Sequence, residues 1–295
     1  MLRISSIKFW LTFGLAVSLF SFVCKDTPKN EDGKSLLWQI SGNGLTKPSY
    51  LFGTIHLICE KDMVISEPLK KAFAESEEIC LELDMDDPQM AMGMLKDMAL
   101  PQGQTLLTLL GKKKHKKLSD YFAKELKMDL SLFEKQKPFF IQAIIMKNML
   151  SCQVGGYEMT FMGMAKEQSK NIVGVEKIED QMAAVNAMPV KEQAESLLAM
   201  VEEQKKYSEM LAKMVSLYKS EDVTALYEFT QKPVVGKKMD EKAFLINRNV
   251  KWIPEMEAMS KEKSMFYAVG AAHLGGEQGV INLLRKQGYT VTPLK

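Results

Sequence analysis

The sequence predicts an α/β fold: a central mixed, largely parallel sheet flanked by helices, with a helix-rich insertion forming a cap. Three observations predict it. Short apolar runs rich in aromatic and β-branched residues alternate with segments whose apolar residues recur at three- and four-residue spacing. Residues 88–231 are almost entirely of the second kind. Four of the short runs end in chemically useful residues, where open α/β sheets bind ligands. They are Gly53-Thr-Ile-His56, Glu82-Leu-Asp84, Gly174-Val-Glu176 and Gly270-Ala-Ala-His273.

The elements follow in order. Arg3 and Lys8 precede a nearly unbroken apolar run, Phe9 to Val23, and the polar KDTPKNEDGK follows. This is the pattern of a secretory signal. Residues 1–24 are therefore expected to be a leader, 25–35 a polar linker and 36–295 the α/β domain, with its helical insertion at about 88–231. The protein is expected to be exported, to the periplasm or cell envelope. An uncleaved leader, or a lipid on Cys24, would instead tie it to the membrane, although Ser21-Phe22-Val23 is bulkier than the usual approach to a lipidated cysteine.

In the domain, SLLWQISGNGLTKPSYLFGTIH places two apolar runs around Gly-Asn-Gly and a proline, which reads as a β-hairpin. Ser66 as cap, Pro68 in the first turn and the spacing of Leu69 and Phe73 predict a helix. ICLELDMDDP is a short strand that Pro88 stops. Within the helical region one strand is expected, KNIVGVE, residues 170–176. DEKAFLINRNVKWIPEMEAMSK reads as a further helix, leading to the strand MFYAVGAAHLGG. The chain closes with a helix, Gly288 as its cap, and a last strand.

Charge and cysteines bound the function. The formal net charge is +2, and losing Arg3 and Lys8 with the leader brings it to zero. A neutral protein offers no electrostatic reason to bind nucleic acid. Cys59, Cys80 and Cys152 remain, an odd number that permits at most one intramolecular disulfide. A Cys59–Cys80 bridge is conceivable, and three buried thiols is the reading the sequence favours. The basic run GKKKHKK, residues 111–117, reads as a solvated face, with His115 solvated inside it. The 22 methionines read as adaptable core filler or apolar surface.

His56 and His273 are two of only three histidines, each three residues after a glycine and at the end of an apolar run. Imidazole and carboxylate together are ligands for Zn²⁺, Mn²⁺ or Co²⁺. A glycine at that spacing allows a sharp turn or a close backbone approach to a ligand. Two histidines with Glu82 or Glu176 would leave a coordination position for water, and a spare carboxylate would accept its proton. Parallel strands bring remote segments together, so the sequence distance is no obstacle. Which glutamate is the ligand depends on strand register.

The segments LLWQISGNGLTKPSYLFGTIH, ICLELDMDD, NIVGVEKIEDQMAAVNAMPVKEQAESL, LINRNVKWIPEM and FYAVGAAHLGGEQGVINLLRKQGYTVTPL together resemble the TraB/GumN family, which includes the TIKI-type metalloproteases. The resemblance implies an α/β fold related to erythromycin esterase and the haem-binding ChaN proteins. For the TIKI branch it implies a divalent metal-dependent peptidase that uses both histidines and a glutamate. On it, His56 and His273 match the motif histidines and Glu82 the family glutamate. Glu176 stands where many bacterial relatives read Gly-Leu-Glu-Thr, with Val175 and Lys177 as departures. Arg248 and Asn249 match an Arg-Asn pair; the guanidinium would hold a carboxylate or a developing oxyanion, or else anchor its helix to the sheet.

The expectation is thus a hydrolase with His56, Glu82 and His273 around a divalent metal, and Glu82, Glu176 and Arg248 in catalysis, acting on a peptide or other small substrate. The alternatives are capture of haem or another ligand without turnover, and a structural protein that keeps only the fold.

Overall fold

A computed structural model describes residues 34–233 and 240–295. The expected leader, the lipidation of Cys24 and nearly all of the linker lie outside the described residues.

The hairpin forms as read. β1 (Leu37–Gly42) and β2 (Ser49–Thr54) pair antiparallel, from Leu37 opposite Phe52 to Ile40 opposite Ser49. Gly42, Asn43 and Gly44 all take positive φ in the turn, the conformation that glycine and asparagine adopt at least cost. β4 (Glu78–Leu81), β6 (Ile172–Gly174), β7 (Met265–Gly270) and β8 (Tyr289–Leu294) complete a sheet of order β6-β4-β7-β2-β1-β8. β6, β4, β7 and β2 run parallel, while β1 and β8 close one edge antiparallel. β2 is buried along its whole length and β7 up to Val269, as a parallel sheet covered on both faces requires.

Helices cover the sheet. α1 (Glu67–Glu75) starts at Ser66, whose hydroxyl accepts from the Leu69 N–H, and buries Leu69, Ala72 and Phe73. α2 (Pro88–Asp97), α3 (Leu106–Tyr121) and α4 (Pro138–Leu150) follow β4. A two-stranded ribbon pairs β3 (Ile58–Cys59) with β5 (Val154–Gly155), and α5 (Tyr157–Glu167) leaves it. After β6 come α6 (Ile178–Ala187), α7 (Val190–Glu202), α8 (Gln204–Lys219) and α9 (Val223–Thr230). α10 (Asn247–Glu262) precedes β7, and α11 (Val280–Lys286) precedes β8. Among the described residues no helix is long and apolar enough to cross a membrane.

The segment 88–231 serves two cores. α3, α4 and α7 pack on one another through Leu106, Leu118, Ile141, Ile145 and Leu197. α5 instead sends Tyr157 and Phe161 into the sheet core, against Phe52, Phe73 and Phe266. Tyr218 of α8 also returns to the sheet, donating to the Gly53 carbonyl at 2.8 Å.

Two expectations need correction. Cys59 and Cys152 form a disulfide, with Cα atoms 5.7 Å apart, so neither the three-thiol reading nor a Cys59–Cys80 bridge holds. Cys80 is a free thiol inside the sheet, fully buried, and burial pushes its pKa up. The reason is topological: Cys59 and Cys152 sit on and beside the ribbon, whereas β4 carries Cys80 into the core. His115 is not simply solvated either. It is partly buried and lies 2.9 Å from Glu134, while Lys114, Lys116 and Lys117 pair with Glu195, Asp120 and Glu202.

Candidate active site

Register assembles the site. Thr54 faces Gly270 at the ends of β2 and β7, and Leu81 of β4 stands between Ala268 and Gly174. The carboxyl ends of four parallel strands therefore lie side by side. His56 follows β2 by two residues, Glu82 follows β4 at once, and Glu176 follows β6 by two. His273 closes a 3₁₀ turn, Ala271–His273, directly after β7.

The two glycines have different reasons. A Cβ on Gly53 would meet the Cα and Cβ of Ala271 at 3.0 Å, so this glycine lets the exit turn of β7 pack on β2. A Cβ on Gly270 would stand 3.3 Å from Glu82 Oε1, 3.5 Å from His273 Cδ2 and 3.9 Å from His56 Nε2. Glycine there leaves a gap that both imidazoles and the carboxylate face.

Hydrogen bonds fix both rings. The Asn249 amide donates to the carbonyls of His273 and Gln278 at 3.3 and 2.8 Å, which turns its oxygen toward His273 Nδ1 at 2.6 Å. His273 therefore donates from Nδ1 and keeps a lone pair on Nε2, where Arg248 Nη1 donates at 3.2 Å. Burial holds the His273 pKa down to about 3, so the ring is neutral. Its neighbour Trp252 lies 4.4 Å away, ring to ring. His56 differs: its side chain is 67% exposed, and its Nδ1 donates to Glu158 Oε1 at 2.9 Å. That bond, working against desolvation, raises the His56 pKa to about 9.

Glu82 accepts from the Gly270 N–H at 2.8 Å on Oε1, and from Arg248 at 2.5 Å and Gln181 at 3.2 Å on Oε2. Burial pushes its pKa up, but the charges of His273, Arg248 and His56 outweigh this and hold it at about 2. Because His273 is neutral at pH 7, Arg248 is the buried cation that keeps Glu82 ionised there. Glu176 is gripped by Arg248 Nε at 3.0 Å and Nη2 at 2.5 Å, and by the Trp252 indole N–H at 2.9 Å. Arg248 Nη1 also donates to the Phe244 carbonyl, so all five guanidinium N–H groups are spent on the protein.

A cleft of about 830 Å³ opens onto this cluster, lined by His56, Glu82, Glu158, Gln181 and an apolar wall that includes Met90 and Met94. His273, Glu176 and Arg248 are not in its lining and lie behind it. The five residues singled out in the sequence are thus brought into one cluster, with Glu176 and Arg248 turned to each other rather than to the cleft. Glu158 is the residue that sequence reasoning missed. It sits in the first turn of α5, after Gly155-Gly156, with no motif around it, and only the fold brings it to His56.

The donor set suits a divalent metal in its chemistry. Each imidazole is oriented through its far nitrogen by an oxygen, as metal-ligating histidines are, and an ionised carboxylate shares the Gly270 gap. Arg248 caps His273 Nε2, and among the described residues no three His, Cys, Asp or Glu side chains are arranged to hold an ion. Any ligation through His273 Nε2 would require Arg248 to release that nitrogen.

Residues 36–293 fit the family model described as the TraB/PrgY/gumN family. The chain is 26% identical to metalloprotease TIKI2 of Xenopus tropicalis, over 90% of its own length and 61% of that protein's. It is 25% identical to metalloprotease TIKI1 of Homo sapiens, over 91% and 63%, and 22% identical to the metalloprotease TIKI homolog of Nematostella vectensis, over 92% and 69%. The chain spans less than two thirds of the length of these vertebrate relatives. No solved structure matches it.

Proposed function

The chain belongs to the TraB/PrgY/gumN family, and from that premise we propose that it is an exported, divalent metal-dependent hydrolase of peptide-like bonds, with His56, His273 and Glu82 as metal ligands. One observation carries the proposal: two imidazoles and a carboxylate from three adjacent strand ends face the gap left by Gly270. The relatives named metalloproteases support the reaction class, and the Cys59–Cys152 disulfide supports an oxidising compartment outside the cytosol.

A bound Mn²⁺, Co²⁺ or Zn²⁺ would supply a Lewis acid for the substrate carbonyl and lower the pKa of water. The remaining work falls to the protein. Burial keeps His273 neutral, with Asn249 fixing the tautomer that leaves the Nε2 lone pair unprotonated, for a ligand role once Arg248 releases it. Glu158 orients His56, which would give up a proton on ligating a metal. Glu82, ionised at pH 7, would offset the charge of a bound metal. Arg248, once released from His273, stays gripped by Glu176 beside Glu82. The cleft takes a peptide or other small substrate against its apolar wall.

The test is equilibrium binding of Mn²⁺, Co²⁺ and Zn²⁺ to the mature protein and to the His56→Ala/His273→Ala variant. Expected is one equivalent bound by the first and none by the second, with the same circular dichroism. Equal binding by both would remove the proposal.

A further inference from the structure

We infer that Glu158 is the general base of this site, where sequence reading expected Glu82 or Glu176 as the spare carboxylate; the inference rests on the hydrolase reading above. It follows from an account of carboxylate oxygens. Both oxygens of Glu82 accept protein donors, from Gly270 on one side and from Arg248 and Gln181 on the other. Both oxygens of Glu176 are held by Arg248, one of them also by Trp252, and its side chain is 3% exposed and outside the cleft. Glu158 is different. Thr54 Oγ1 at 2.7 Å and His56 Nδ1 at 2.9 Å donate to the same oxygen, Oε1. No other side chain among the described residues donates to Oε2, the carboxylate's further donor being the residue's own backbone N–H, and the side chain lines the cleft. Glu60 also lines the cleft, but it is exposed, and among the described residues no hydrogen bond or ion pair joins it to His56 or Glu82.

The division of labour between the two oxygens is what a base at this place needs. Oε1 stays occupied in orienting His56 while Oε2 changes protonation. A water in the cleft passes one proton to Glu158 Oε2 as its oxygen bonds to the substrate carbonyl carbon. The same proton then goes to the amide nitrogen as the C–N bond breaks, leaving an acid and an amine, with no change of oxidation state and Glu158 restored. Tyr157, the adjacent residue, is buried in the sheet core and donates to the Val64 carbonyl, which fixes the first turn of α5 that carries Glu158.

The experiment uses the mature protein with Co²⁺ as the metal probe and fluorescein-labelled casein as substrate. Co²⁺ affinity, KM and kcat are measured for wild type, Glu158→Gln and Glu158→Ala. Expected for Glu158→Gln is Co²⁺ affinity within about a hundredfold of wild type, the range for a partner that orients a ligand, KM little changed, and kcat down by about 10²–10⁴-fold. Added formate should restore part of the rate of Glu158→Ala, which a purely structural glutamate would not allow. Wild-type kcat in Glu158→Gln overturns the inference. So does a rate loss explained wholly by lost Co²⁺, which would make Glu158 a positioning residue for His56. Wild type that binds Co²⁺ and cleaves nothing overturns the inference and leaves the metal site standing; wild type that binds no Co²⁺ overturns the hydrolase reading with it.

Discussion

Arg248 spends every N–H it has inside the cluster, on Glu82, Glu176, His273 and a carbonyl, and stacks 4.9 Å from the Trp252 ring. Removing it strands two buried carboxylates, so Arg248→Met should destabilise the metal-free protein by about 3–5 kcal/mol in urea unfolding. Arg248→Lys should recover only part, because an ammonium cannot fork a carboxylate. The pH dependence follows from the same groups. His273 titrates at about 3 when folded and 6.5 when free, so the unfolded chain binds a proton first and stability falls as pH drops below 6.5. Glu82, at about 2 against 4.5, adds stability that is complete above 4.5 and lost as pH falls toward 2. His56, at about 9 against 6.5, adds stability complete below 6.5 and lost as pH rises through 9, damped by the exposure of its ring. Urea stability should therefore peak near pH 6.5, and His273→Gln should flatten the limb between 6.5 and 4.5. A wild-type curve flat between those values would show that His273 is not held neutral by burial.

At the scale of elements, what matters is where each strand stops. Gly270 ends β7 at φ −52° and ψ 131°, a conformation open to alanine, so only the side chain is at issue. Gly270→Ala should fold with a melting temperature close to wild type and bind metal at least about tenfold more weakly, since the added methyl would sit among Glu82, His273 and His56. Isothermal titration with Co²⁺ decides it: undiminished affinity would mean the metal does not use this gap. Elements of this kind were legible in the sequence. Gly42-Asn43-Gly44 announced its hairpin, Ser66 and Pro68 their helix, and the apolar runs before His56 and His273 their strands, because each signal lies within the element it specifies. The ribbon of β3 and β5 was not legible, since two residues per strand leave no periodicity to read.

Across the whole molecule, the Cys59–Cys152 bridge spans 93 residues, joining the segment after His56 to the segment before Glu158. A loop of that length implies about 4–5 kcal/mol of chain entropy removed from the unfolded state. Reduction, or Cys59→Ala/Cys152→Ala, should lower the melting temperature accordingly and weaken Co²⁺ binding; an unchanged melting temperature in reductant would argue against the bridge. Family membership, the α/β sheet with helical elements over it, and the convergence of His56, Glu82, Glu176 and His273 were all present in the sequence, because strand ends and their glycines are local signals repeated along the chain. The tertiary structure decided the rest: which cysteines pair, that Arg248 turns Glu176 away from the cleft, and that Glu158 stands against His56. Those are facts about side chains far apart in sequence, and only the order and register of the parallel strands set which of them share a surface.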